Sequence, residues 1–165
     1  SKTVMLYYIA EDGLSLVALQ QELTLNEQRG AEALARFVVK KQLGPAPAPL
    51  ASPFPAGTRL RGIYLTPGGD AFVDLSRDVT RGHPGGSLDE LFTVYAIVNA
   101  LTTNLPAINA VQILINGREV DTLVGHVDLQ RPLERNMQWV TDPNAEPTPG
   151  TEPALEVEAT PTPTI

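Results

Sequence analysis

Three short turn motifs divide this chain into strand pairs, and they constrain its fold more than any other feature. The motifs are Asp12-Gly13, Pro67-Gly68-Gly69-Asp70 and Asn116-Gly117. Each lies between two runs rich in β-branched, aromatic or aliphatic residues, and glycine supplies the positive φ that tight turns require. We therefore predict three hairpins, with strands at 3–10 and 16–23, at 59–66 and 71–75, and at 110–115 and 118–124.

A helical pattern follows the first hairpin. It runs from Gln28 to Leu43, with Lys40 and Lys41 near its C-terminal end and Gly44-Pro45 as the stop. Its apolar residues recur at helical spacing and predict one buried face, which consists of Ala31, Leu34, Phe37, Val38 and Leu43.

A second, longer helix follows the second hairpin and ends at Leu105-Pro106. It opens at Ser87-Leu88-Asp89-Glu90, a sequence that predicts a capping box in which Ser87 and Glu90 bond backbone N–H groups of the first turn. Its broad apolar face predicts packing across a sheet and comprises Leu91, Phe92, Val94, Tyr95, Ile97, Val98, Leu101 and Leu105.

The order hairpin, helix, hairpin, helix, hairpin predicts the fold class. Each helix follows a strand pair and not a single strand, which favours an α+β fold with a largely antiparallel or mixed sheet and two helices packed on one face. We expect this domain to span residues 1–140. A proline cluster at 45–55 predicts a polyproline-like connection inside it.

Residues 141–165 form an acidic tail of different composition. The tail holds five acidic residues, no Lys or Arg and six prolines, so it carries five of the seven net negative charges of the chain. Such a segment has too few apolar groups to offset the entropy of ordering it. We predict a disordered spacer rich in Pro, Thr and Glu.

Composition excludes several classes of function. A net charge of −7 disfavours nucleic-acid partners, because phosphate neutralisation needs an excess of Lys and Arg. The absence of Cys excludes disulfides, thiolate catalysis and cysteine-ligated metals. No apolar run approaches the roughly 18 residues of a membrane span. Because the sequence starts at Ser1 and not at Met, we expect that a signal or anchor segment has been removed.

The candidate catalytic groups are two histidines and two aspartates. His83 and His126 are the only histidines, and neither a nucleophile elbow nor a zinc-binding histidine spacing accompanies them. Asp74 and Asp128 lie in a repeated Val-Asp-Leu tripeptide, which could form an acid and base pair. Aspartate at a strand end more often bonds the following backbone in an Asx-turn, and we expect that role for both.

Two further segments allow more than one interpretation. The glycine-rich segment 82–87 leads into the second helix, where free N–H groups attract anions, but it lacks the lysine of a phosphate-binding loop. We therefore expect it to be a flexible connection. Met137 and Trp139 either complete the sheet or lie exposed on an interaction surface, and the sequence leaves both alternatives open.

Six sequence blocks in this order resemble the GerMN domain, found in a spore germination and sporulation protein and in bacterial extracytoplasmic lipoproteins. The blocks are Val4–Tyr8, Pro55–Thr58, Ala71–Ser76, Tyr95–Thr102, Val111–Gly117 and Gly125–Leu129. The resemblance implies a non-enzymatic domain outside the cytoplasmic membrane of a bacterium, held by a lipid or a single N-terminal helix and acting in envelope assembly. It supplies no catalytic residues.

These observations predict a protein–protein interaction or assembly module of the cell envelope, linked to sporulation or germination. We nominate no catalytic, cofactor-binding or metal-binding residue. The expected partner is another envelope protein or a second copy, with membrane contact only through the removed anchor. The alternatives are a domain that binds a small ligand or glycan, and a cell-wall hydrolase that uses Asp74, Asp128 or His126.

Overall fold

A computed structural model describes residues 2–24 and 30–143 of the protein. Along these segments the chain forms β1 (Lys2–Ile9), β2 (Leu16–Leu23), α1 (Ala31–Gln42), β3 (Leu60–Leu65), β4 (Asp70–Leu75), α2 (Asp78–Arg81), α3 (Ser87–Asn104), β5 (Ala110–Ile115), β6 (Arg118–Glu119), β7 (Leu133–Glu134) and β8 (Val140–Thr141). The predicted start of the first helix at Gln28 and the tail beyond Pro143 lie outside the described residues.

The strands form two mixed sheets. The first has the order β1-β2-β8, with β2 and β8 parallel. The second has the order β3-β4-β5-β6, with β4 and β5 parallel. Strand β7 pairs with the N-terminal end of β5, on the side of β5 that faces away from β4. The α+β prediction is confirmed, although the strands divide between two sheets where the sequence pattern predicted one.

The third hairpin is shorter than predicted. Its second strand was expected to extend to Val124, but β6 comprises only Arg118–Glu119. The physical reason is that Leu123 and Val124 turn away and donate their N–H groups to Glu90, so these amides cannot pair with β5.

Helix α3 is the centre of the molecule and packs against both sheets and against α1. Its predicted apolar face is confirmed at Phe92, Val98 and Leu101, which are fully buried, while Tyr95 is partly exposed. Burial continues around most of its circumference, because a helix between two sheets has little surface left for solvent.

The buried face of α1 is rotated from the predicted one. Ala35, Val38, Val39 and Gln42 are fully buried, whereas Ala31 is exposed. Phe37 is only partly buried and lies beneath Lys41, whose Nζ is 5.5 Å from the ring centroid. The rotation brings the polar side chain of Gln42 into the core, where it bonds the backbone of Tyr7 in β1.

Candidate functional site

Glu90 on the first turn of α3 is a buried carboxylate with a structural role that the sequence pattern did not reveal. Its Oε2 accepts the N–H groups of Leu123 and Val124, each at 2.9 Å. Its Oε1 accepts the N–H groups of His126 at 2.7 Å and Val127 at 3.2 Å, and also the Nδ1–H of His126 at 3.0 Å. One side chain therefore holds loop 120–129 against the helix.

The predicted capping box is wrong. The residue before the helix is Gly86, no side-chain cap is present, and Glu90 faces a distant loop in place of the backbone of Ser87. Burial by itself would raise the pKa of Glu90, but the backbone N–H groups of Val124, His126 and Leu123 outweigh this effect and lower the pKa. The carboxylate is therefore charged in the folded protein at neutral pH.

The three groups considered for hydrolysis make separate contacts. Asp74 accepts the N–H of Gly117 at 2.7 Å, and its other oxygen lies 3.9 Å from Arg61. Asp128 accepts the N–H of Gln130 at 2.9 Å, which confirms the Asx-turn predicted for it. His126 is engaged by Glu90. Asp74 differs from the prediction, because it fastens the turn of the neighbouring hairpin and not the backbone that follows it.

His83 is also used by the fold. Its Nδ1 accepts the N–H of Gly85 at 3.0 Å, so the neutral ring carries its proton on Nε2, which donates to the Thr93 hydroxyl at 2.9 Å. That hydroxyl in turn donates to the carbonyl of Pro53 at 2.6 Å. Segment 82–87 is thus a connection held in place by its own histidine, whereas a flexible connection was expected.

Residues 2–24 and 30–143 lack both a cluster of metal-ligating side chains and a membrane-spanning helix. No cluster of three or more His, Asp or Glu side chains is placed to hold a metal ion there. No helix in these segments is both long and apolar enough to cross a bilayer.

The outer edge of β1 is closed by side-chain amides. Asn104 at the end of α3 bonds both the N–H of Met5, at 2.9 Å, and its C=O, at 2.7 Å. Gln42 at the end of α1 does the same for Tyr7, at 2.8 and 2.6 Å. Ile9 exchanges two backbone bonds with Ala51 in the proline-rich connection, at 2.8 and 2.9 Å. The outward-facing backbone N–H and C=O groups of these three alternate residues of β1 therefore all have hydrogen-bond partners.

The outer edge of β2 is different. The backbone groups of Leu16 point outward, because its N–H donates to Trp139 O at 2.9 Å, so those of Ala18 and Gln20 point outward as well. Strand β8 pairs only with Leu16 and Val17. Pro143 has no N–H with which to continue the parallel ladder. In the described part of the chain no hydrogen bond joins the backbone of Gln20 to a partner on this side.

Met137 and Trp139 combine both alternatives left open by the sequence. The backbone around Trp139 completes the first sheet through Leu16, while the side chains of Met137 and Trp139 remain 45% and 38% exposed. Leu14, at the tip of the first hairpin, is 64% exposed. These apolar groups therefore lie at the end of the sheet where β8 begins.

The structure is an α+β domain in which each candidate catalytic group forms hydrogen bonds to other parts of the same domain. A family model described as "Sporulation and spore germination", the Germane model, matches residues 5–121. The chain therefore belongs to the Germane or GerMN family, as its sequence blocks predicted. This family is not known for catalysis. A search of curated proteins found no match.

Solved structures share this fold. The first GerMN domain of the sporulation protein GerM from Bacillus subtilis has a TM-score of 0.63 at 23% identity, with 82% of this chain and 98% of that chain covered. The tandem GerMN domains of GerM give 0.62 at 24% identity, covering 81% of this chain and 46% of that one. A candidate lipoprotein from Clostridium perfringens gives 0.56 at 24% identity, covering 81% and 87%.

Proposed function

We propose that this chain is a non-enzymatic interaction module of the bacterial cell envelope, and that it binds its partner along the outer edge of β2. The partner is an extended segment of another envelope protein. The family's association with sporulation and germination and the described lipoprotein relative support a location outside the cytoplasmic membrane, with an anchor N-terminal to the domain.

The observation that carries this proposal is the difference between the two edges of the first sheet. An exposed edge is a liability that proteins usually cover, and β1 is covered residue by residue through Met5, Tyr7 and Ile9. On the edge of β2, by contrast, no hydrogen bond among the described residues covers the outward-facing backbone of Gln20. Backbone N–H and C=O groups of this kind accept an added strand from a partner.

The candidate catalytic groups in the described part of the chain are not assembled into one active site, which supports binding over hydrolysis. A nucleophile or general base needs a partner within hydrogen-bond reach. Asp74, Asp128 and His126 each bond a different part of the fold, and Asp128 lies on the surface. Their contacts stabilise turns and loops and leave none of them paired with another as an acid and base.

Complementation of a strain lacking the gene tests both parts of the proposal. Gln20→Pro removes an outward-facing N–H at a position where an edge strand tolerates proline, so it should abolish partner capture and function with little loss of folding. Gln20→Ala keeps that N–H and is the matched control, which should retain function. The triple variant Asp74→Asn, Asp128→Asn, His126→Ala should also retain function. Loss of function in a folded triple variant that still captures the partner would contradict the non-enzymatic assignment.

A further inference from the structure

The outer face of the second sheet exposes an aromatic ring supported by a glycine. Ile63 of β3 points into the core, so the adjacent Tyr64 points to the opposite face, where it is 59% exposed. A Cβ atom added to Gly62 would lie 3.0 Å from Tyr64 Oη and 3.3 Å from Cζ. The ring therefore lies along the backbone of Gly62 and presents its other side to solvent. Tyr64 pairs across the sheet with the partly buried Phe72.

A group of arginines lies at the end of the sheet toward which the Tyr64 ring extends, because its hydroxyl end lies over Gly62, next to Arg61. The register between β3 and β4 shifts between Leu60 and Gly62, and this bulge inserts Arg61, whose guanidinium lies 3.9 Å from Asp74. Asp74 also holds the Asn116-Gly117 turn through Gly117 N–H, which places Arg118 at the same end of the sheet. A depression of about 500 Å³ there is lined by Arg61, Arg77, Ile115, Asn116, Arg118, Glu119 and Val120.

The charges at this depression favour an anionic ligand. Three arginines contribute to its wall, against Glu119 in the wall and Asp74 beside Arg61. Arg77 and Arg118 form no ion pair with any side chain in residues 2–24 or 30–143. This positive site lies on a chain whose net charge is −7, so it does not follow from overall composition. A guanidinium group binds a carboxylate through two parallel hydrogen bonds.

We propose that this surface binds a carboxylate-bearing saccharide. The apolar face of one sugar ring stacks on Tyr64, its carboxylate is held by Arg118 and Arg77, and Asn116 offers an amide to its hydroxyl groups. A flat exposed aromatic ring that extends toward a concave polar site fits a saccharide better than an extended peptide, which would seek unpaired backbone. The site is on the second sheet and is separate from the β2 edge proposed for protein binding.

Titration of the ¹⁵N-labelled 165-residue chain with trigalacturonate tests this proposal by chemical-shift perturbation. We expect shifts at Gly62, Tyr64 and Arg118, and none with neutral cellotriose. Tyr64→Ala should weaken binding about tenfold, whereas Tyr64→Phe, which keeps the ring, should bind normally. Arg118→Gln should weaken binding about fivefold. Arg36→Gln, which alters an exposed arginine paired with Glu32 on α1, is the matched control and should have no effect.

Four outcomes would overturn the proposal. They are no saturable shift with trigalacturonate, equal binding of cellotriose, equal binding of a triglutamate peptide, and shifts that Tyr64→Ala leaves unchanged. Equal binding of the peptide would identify an acidic polypeptide as the ligand in place of a saccharide. Each variant is first checked for an unchanged melting temperature, and Tyr64→Phe remains informative if Tyr64→Ala is unstable. None of these results bears on the β2 edge.

Discussion

Glu90 shows how one buried side chain can order a loop without regular secondary structure. A carboxylate in the core is costly unless it is hydrogen-bonded, and Glu90 accepts four backbone N–H groups and one imidazole N–H from residues 123–127. The sequence offered only a local explanation for it, as half of a capping box. Its true partners lie more than 30 residues away in the chain, and no local pattern reports such a distance.

Glu90→Gln should destabilise the protein by about 2–4 kcal/mol in chemical denaturation, because an amide NH2 group would face backbone N–H groups that then lack an acceptor. The matched control is Asp89→Asn, the neighbouring acidic residue on the same turn, which should change the free energy of unfolding by less than about 0.5 kcal/mol. Equal effects of the two substitutions would show that the buried hydrogen bonds contribute little.

The lowered pKa of Glu90 also predicts a pH dependence. A carboxyl group with a folded-state pKa below its ordinary value of 4.5 stabilises the fold above that pH. The contribution is lost as pH falls through the lowered pKa, because the unfolded chain takes up the proton more readily. Denaturation curves measured from pH 7 to about pH 3 should show a steeper loss of stability for the natural chain than for Glu90→Gln. An equal loss of stability with falling pH in the two proteins would contradict the lowered pKa of Glu90.

At the scale of elements, the sequence predicted the turns and the helix ends, because these features depend on the residues nearby in the chain. The Asp12-Gly13 and Asn116-Gly117 turns, the stop at Gly44 and the end of α3 near Leu105 all lie where the residues indicated. The division into two sheets could not be predicted, since it depends on pairings such as Leu16 with Val140. The rotation of α1 could not be predicted, because the polar Gln42 is buried through hydrogen bonds to Tyr7, which lies 35 positions away in the chain.

Phe92→Ala tests the central position of α3. The side chain is fully buried, so its truncation should cost about 3–5 kcal/mol through lost apolar burial and the cavity left behind. Tyr95→Ala on the same helix should cost less, because that ring is partly exposed. A loss below about 1 kcal/mol for Phe92→Ala in chemical denaturation would show that the buried face of the helix has been assigned incorrectly.

Gln42→Met tests the closure of the β1 edge. The apolar side chain retains much of the volume but leaves the N–H and C=O of the fully buried Tyr7 without partners. We expect a loss of about 2–4 kcal/mol in the free energy of unfolding. Lys40→Met, at an exposed position of the same helix, is the matched control. It should change the free energy of unfolding by less than about 0.5 kcal/mol. An unchanged free energy of unfolding for Gln42→Met would mean that the Gln42 amide is not needed to close this edge.

At the scale of the whole molecule, we expect the acidic tail to act separately from the domain. Its composition provides almost no large apolar groups, so deletion of residues 144–165 should leave the melting temperature unchanged. Differential scanning calorimetry of the full and truncated chains would measure this. A clear drop for the truncated chain would mean that the tail packs on the domain.

The proposed binding function requires that one edge of the first sheet is closed by the fold and that the other is available to a partner. Amide hydrogen exchange followed by NMR on the free protein compares the two edges directly. The N–H groups of Met5 and Tyr7, bonded to Asn104 and Gln42, should be protected like the interior ladder. The N–H of Gln20 should exchange faster by at least about tenfold. Equal protection of Gln20 and Tyr7 in the isolated chain would contradict the proposed function, because it would mean that the β2 edge is already covered.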